Sequence, residues 1–226
     1  MKLMQIKSLG VFVIVCLTAS MSQAGQRILV DEVVASVNRH VITRSDVLQE
    51  GVLILVERHG QSGLSRQLTP EFLGKVLELL INQRVLLDEA LRMSVPSVTA
   101  EERQQLLSGF RQRFGDQENY IRFLYQHDLT EEAISEVLAR HWKVEILKEK
   151  KLRSMPKLTD AKVRKYYEQH RLQLGGKPLE LVAEAIRLKL MTQRREKSLA
   201  RWVWELRKRS QVKILVDFKA SSSVSE

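Results

Sequence analysis

"VDEVVASVNRHVITRSDV", Val30 to Val47, is the stretch that decides how this chain closes. Apolar and polar residues alternate, the pattern breaks at Asn38-Arg39-His40, and alternation resumes. Val33, Ala35 and Val37 share one face of a first strand. Val41, Thr43 and Ser45, with Ile42 opposite, offer a second. Ser45-Asp46 then supplies a cap for a helix through "VLQEGVLILVERHG". An isolated two-stranded hairpin is marginal in water. The only other strand-like run is "VKILVDF", Val212–Phe218, near the far end of the chain. The two ends are therefore expected to meet in one sheet, with Val33–Val37 or Val41–Thr43 paired to Val212–Val216. The fold class that follows is mainly α, with a small antiparallel β element completed by the C-terminal strand.

Between the strands the chain reads as helix. "GQSGLSRQL" has loop composition, and Thr69-Pro70 opens the next helix with a capping residue and Pro at its first position. Its stripe is Phe72, Val76, Leu79, Leu80, Gln83, Leu87, Ala90 and Leu91. Thr99 with Glu102 forms a capping box. A long amphipathic helix follows Thr130, with Ile134, Leu138, His141/Trp142 and Glu145/Ile146 on one side. Thr159 caps a helix in which Val163, Tyr166/Tyr167 and His170 share a face. "LQLGGKP" is the clearest break in the second half. A last helix runs from about Leu179 to Arg209, and its polar middle, "TQRREKS", is expected to stand away from the core.

The 226 residues include 44% hydrophobic and 28% charged side chains, which suits a folded chain rather than a disordered one. "MKLMQIK", the apolar run "LGVFVIVCL" and the small residues Ser22 and Ala24 match the three regions of a secretory signal peptide cleaved after Ala24. The expected organisation is a signal peptide at 1–24, one helical domain at 25–218 and a disordered tail at 219–226. Within the domain, 25–156 forms the N-terminal part and 157–218 the helices and strand that complete the core. Cleavage would remove Cys16, the only cysteine, and leave 35 basic and 27 acidic residues, a net charge of +8. The implied compartment is the cell envelope, with no stable membrane span after cleavage. There the positive charge points to acidic polypeptides or anionic surfaces rather than to nucleic acid.

None of His40, His59, His127, His141 and His170 falls in a zinc spacing, and no Walker loop, GxGxxG or GxSxG elbow occurs. No catalytic residue, metal or cofactor is expected. Glu101-Glu102 and Glu131-Glu132 sit in first helical turns, where they complement the helix dipole. The remaining feature is aromatic excess on helices: Phe110, Phe114, Tyr120, Phe123, Tyr125 and Trp142. They fit either an ordinary helical core or an apolar groove with a basic rim that binds unfolded polypeptide. The second reading makes these six the candidate binding residues.

The opening stretch, directly after a signal peptide, resembles the start of the SurA-type periplasmic chaperones. That start reads V-D-x-[IV]-[VA]-A-x-V-N, a short turn, then [VI]-I-[TL]-x-S-D-[VL]. The likeness continues through "LLINQRVLLDEALRMSV", the helical run from Thr99 to Leu147, "LTDAKVRKYYEQH" and the closing "IRLKLMTQRREKSLARWVWELRKRSQVKIL". One departure matters. The family usually carries parvulin-type prolyl isomerase domains between the last two segments, and here that interval is about "RLQLGGKP". The resemblance implies the chaperone core without the isomerase: an ATP-independent holdase for unfolded envelope polypeptides, outer-membrane β-barrel proteins among them. The alternatives are a non-catalytic adaptor that binds one folded partner with the same fold and, further off, a peptidyl-prolyl isomerase.

Overall fold

The computed structural model describes residues 31–218. The expected signal peptide and the tail at 219–226 lie outside the described residues. Strands β1 (Val33–Val37) and β2 (His40–Thr43) form the antiparallel hairpin, and β3 (Val212–Ile214) pairs antiparallel with the other edge of β1. Ala35 lies opposite both Ile42 and Ile214, and Val37 opposite both His40 and Val212. The sheet thus joins the two ends of the described chain, through the first of the two expected pairings, Val33–Val37 with the C-terminal strand.

Two details depart from simple alternation. A bulge sets Val33 and Ala35 of β1 against the adjacent residues Thr43 and Ile42 of β2. Val34 and Ala35 are in consequence both buried, while Val33 turns outward. On β2 it is Ile42 that enters the core, and Val41 is exposed. The C-terminal strand is also shorter than Val212–Phe218. Its regular ladder ends at Ile214, after which the N–H groups of Leu215 and Val216 both donate to the Val34 carbonyl, at 2.9 and 3.2 Å. The Leu215 bond continues the alternation of the β1–β3 ladder, in which residues 34, 36 and 38 face the C-terminal strand.

The hairpin turn is the second lock. Asn38 has φ 53°, the left-handed region that Asn tolerates better than other non-glycine residues. Its N–H donates to the Gln211 carbonyl at 2.8 Å, and its Oδ1 accepts from the Gln211 N–H at 2.8 Å. Its Nδ2 donates to Asp88 Oδ2 at 2.5 Å, and His40 Nε2 lies 3.1 Å from Asp88 Oδ1. One side chain therefore holds the turn, the entry to β3 and the helix carrying Asp88.

Helix α1 (Arg44–His59) is capped two residues earlier than Ser45-Asp46 suggested. Thr43 is the N-cap, and Asp46, at the third helical position, completes a reciprocal capping box. Residues 60–65 form a 3₁₀ turn where the composition suggested an open loop. Gly63 makes that turn possible, because a Cβ there would sit 2.3 Å from the Leu55 carbonyl oxygen. Helix α2 (Pro70–Arg92) starts at Thr69-Pro70, and α3 (Ala100–Arg111) at the Thr99/Glu102 box, as the sequence indicated. Helices α4 (Gln117–Gln126) and α5 (Glu131–Arg153) follow, then α6 (Asp160–His170) and α7 (Leu179–Arg209).

Two apolar clusters result. The larger joins the sheet (Val34, Val37, Ile42) to α2 (Leu80, Ile81), α5 (Leu147), the end of α7 (Trp202, Leu206) and Phe218. The smaller lies among α1, α3, α4 and α5. Helix α6 packs against the first half of α7, where Val163 and Ile186 are the buried residues. Arg187 of α7 reaches Asp160 of α6 at 2.6 Å across this hairpin. Between Ile186 and Trp202 no residue of α7 is fully buried, which matches its polar middle.

Candidate functional site

The six aromatic candidates separate into three groups. Phe110, Phe114, Tyr120 and Phe123 are buried together in the smaller cluster. Phe114 stands 5.5 Å from Phe110, 5.4 Å from Tyr120 and 4.8 Å from Phe123, ring centre to ring centre. These are the tilted and edge-on contacts of a packed aromatic core. The groove assignment for these four is therefore corrected: they bind α3 and α4 to α1 and α5, and no client can reach them. The physical reason is that α3 and α4 are short, and only large side chains fill the space between them and α5. Tyr125 is exposed on α4 and makes no ring contact with this cluster. Trp142 is half-buried and lines a separate recess of about 450 Å³ between α3 and α5, beside Leu138 and the edge of Phe110.

The most developed cleft lies elsewhere, among α1, α2, α5 and α7, with a volume of about 890 Å³. Its apolar lining comes from Ile54, Leu79, Leu86, Val144, Val203 and Trp204. Trp204 is 56% exposed, and Leu79 is exposed across from it. Trp202, two residues earlier and about 200° away round the helix, is buried in the main core. Helix α7 thus spends one tryptophan on stability and presents the other to the cleft. Lys208 Nζ sits 3.6 Å from the centre of the Trp204 ring, a cation–π contact at the rim. Arg207 donates to Glu78 Oε2 at 2.5 Å and fixes this end of α7 over α2.

The polar lining is more unusual. Glu50 of α1 is only 1% exposed, and its Oε1 lies 2.7 Å from Nε2 of His141 on α5. Glu57 Oε1 lies 3.8 Å from Nδ1 of the same ring. Burial pulls the imidazole pKa down, but hydrogen bonding and charge from Glu50 and Glu57 outweigh it and push it up to about 9. At neutral pH His141 is therefore an imidazolium held between two carboxylates. Beside it, Gln83 of α2 is 6% exposed, and its Oε1 has no hydrogen-bond partner. A buried amide oxygen without a partner costs free energy unless something in the cleft donates to it. The lining includes no serine, threonine, cysteine or tyrosine; its polar groups are the side chains of Glu, His, Lys, Arg, Asn and Gln.

Two smaller recesses flank the junction of α5, α6 and α7, at about 580 and 380 Å³. Both share Met155, Pro156, Leu158 and Arg194, and their rims carry Arg153, Lys162, Lys165, Arg195 and Lys197. Among the described residues, no group of three or more His, Cys, Asp or Glu side chains could hold a metal ion.

Sequence reasoning missed Trp204, Glu50 and the cleft role of His141. Gln83 was the available signal, since an amide inside the apolar stripe of α2 needs either a partner or an opening. Glu50 and His141 are 91 residues apart and carry no signal in their spacing. No protein-family model matches this chain, and no curated protein sequence matches it.

Proposed function

We propose that the protein is an ATP-independent holdase that captures extended, unfolded envelope polypeptide in the cleft among α1, α2, α5 and α7. The observation that carries this reading is the pairing of exposed Trp204 and Leu79 with the unpartnered Gln83 acceptor in one cleft. An extended chain brings apolar side chains and free backbone N–H groups at a short, regular spacing. Apolar surface at the edge and an acceptor at the floor accept many such sequences without reading any one of them. Burying a few hundred Å² of apolar surface at about 25 cal/mol/Å², less the ordering costs, gives affinity of about micromolar. That range suits a carrier that must release its cargo without nucleotide. The likeness of the strand-forming ends to SurA-type chaperones supports the same reading. It also favours clients in the periplasm, unfolded outer-membrane β-barrel proteins among them. No catalytic step, metal or cofactor belongs to this function.

The test is suppression of aggregation of a urea-unfolded β-barrel protein diluted into buffer without nucleotide. The protein should slow light scattering at equimolar ratio. Trp204→Ser with Leu79→Ser, both at exposed positions, should weaken the effect several-fold and leave the melting temperature in place. Failure of the unaltered protein to slow aggregation would overturn the proposal. A stoichiometric complex with one folded protein, and no affinity for unfolded chains, would replace it with the adaptor reading.

A further inference from the structure

The α6–α7 hairpin carries features that the cleft does not use. Leu172, in the turn after α6, is 94% exposed, and Leu181 and Leu188 on α7 are 75% and 69% exposed. Leu181 and Leu188 are seven residues apart, so they lie on one face of α7, about 10 Å apart along its axis. Met191, also exposed, continues that face by one more turn. Ile186, the buried residue of this stretch, lies about 140° round the helix from Leu181. The leucine face is thus turned away from the side of α7 that carries its buried residue.

Charge is concentrated on the same hairpin. From Lys157 to Arg201 the chain has twelve basic and five acidic residues, a net of +7. Residues 25–226 together carry +8, so almost the whole excess lies here. Lys177 in the turn, and Lys189 and Arg195 on α7, are exposed close to the leucines in sequence. Glu180, exposed in the first turn of α7, and Glu184, held by Arg187, are both already counted in that net of +7.

We propose that the α6–α7 hairpin docks on an anionic phospholipid surface, with Leu172, Leu181 and Leu188 entering the boundary between headgroups and acyl chains. Exposure this high is that of protruding side chains, and none of the three lines a recess described above. An extended peptide needs walls on both sides to be held, whereas a bilayer surface takes protruding leucines directly. Leucines on one helix face with lysine and arginine around them are the composition of interfacial helices. Basic clusters add attraction to anionic headgroups within a Debye length of the surface. Among the described residues no helix is long and apolar enough to cross a membrane, so the contact is peripheral. Neither the few leucines nor the charge alone holds a protein at a bilayer, so binding requires both and is reversible.

The experiment is vesicle co-sedimentation of residues 25–226, which contain all the described residues, 31–218. Leaving out the apolar run near the start of the chain removes a competing lipid contact. The protein should bind vesicles of mixed phosphatidylglycerol and phosphatidylcholine and should not bind phosphatidylcholine alone. Raising salt from about 0.1 M to about 1 M shortens the Debye length from about 10 to 3 Å and should release it. Leu181→Glu with Leu188→Glu should cut binding at least tenfold. Because both side chains are exposed, the circular dichroism spectrum and melting temperature should not change. Equal binding to neutral vesicles, or binding unaffected by the double substitution, would overturn the proposal. So would absence of vesicle binding, and if an acidic unfolded polypeptide then bound the protein but not the double variant, the face would belong to polypeptide. Aggregation suppression through Trp204 is a separate readout, so failure of one proposal leaves the other standing.

Discussion

Replacing Asn38 tests whether the meeting of the chain ends stabilises the whole domain. Three features depend on this residue: Oδ1 accepts from the Gln211 N–H, Nδ2 donates to Asp88, and the backbone holds φ 53°. Both hydrogen bonds are in exposed surroundings, so each contributes about 0.5–1 kcal/mol net, or about 1–2 together. Glycine keeps the left-handed turn and loses both bonds, so Asn38→Gly should cost about 1–2 kcal/mol. Alanine loses both bonds and also the short polar side chain that lets Asn tolerate the left-handed region, about 1 kcal/mol more, so Asn38→Ala should cost about 2–3 kcal/mol. For a domain of this size 1 kcal/mol is about 2–4 °C in melting temperature, which separates the two variants. Asn38→Asp keeps an acceptor for Gln211 but sets a carboxylate beside Asp88, and should fall below Asn38→Gly at low salt and recover as salt rises. Urea titration gives the free energies. Hydrogen exchange at Lys213, whose N–H faces β1 in the alternation set by the Gln211 and Leu215 bonds, shows whether β3 opens first. If Asn38→Ala and Asn38→Gly match within about 0.3 kcal/mol, the turn argument is wrong. If both lie within about 0.5 kcal/mol of the parent, the ends are not held together by this residue.

Three further outcomes follow from the interior. His141 titrates near 9 in the folded chain against an ordinary 6.5, so its contribution is complete below about pH 6.5 and is lost as pH rises through 9. It is worth about 3 kcal/mol at most, and the fall in urea midpoint between pH 7 and pH 10 should be smaller in His141→Gln than in the parent. Phe123→Ala should cost about 3–5 kcal/mol by opening a cavity in the aromatic cluster, while Tyr125→Ala, two residues on and exposed, should stay within about 0.5 kcal/mol. Gly63→Ala should cost about 1–3 kcal/mol, because its Cβ would collide with the Leu55 carbonyl and the 3₁₀ turn would have to move; an unchanged midpoint would show that the turn is loosely held.

The parts of the fold that were legible in the sequence are those set by local rules. Thr69-Pro70 and the Thr99/Glu102 box mark helix starts because a cap is chemistry between residues three apart. The closing strand was legible for a different reason: alternation near each end left one economical pairing. The bulge at Val33/Ala35 was not, because nothing in the alternation of apolar and polar residues marks an extra residue in one strand of a pair. The aromatic run from Phe110 to Phe123 was legible as apolar, and its sequence fitted a helical core and an open groove alike. Periodicity shows which side chains share a face and says nothing of what covers that face. Trp202 and Trp204 make the same point in reverse, since only the packing of α7 on α2 and α5 decides which of the two is buried.

Helix α7 links the parts of the molecule that stability and function each need. Its first half packs on α6 and bears the exposed leucines, its second half walls the cleft with Val203 and Trp204, and its end delivers Gln211 to Asn38. A change in the α6–α7 turn therefore does not reach the sheet through local packing, because from Thr192 to Arg201 the helix has no fully buried residue that would couple the two halves. The closure at Asn38 and Gln211 lies at the opposite end of α7 from the turn at 171–178. "LQLGGKP" is for that reason the position where additional chain disturbs the core least. A loop inserted between Gly175 and Gly176 should leave the urea midpoint close to the parent's, whereas the same loop between Asn38 and Arg39 should lower it by at least as much as Asn38→Ala.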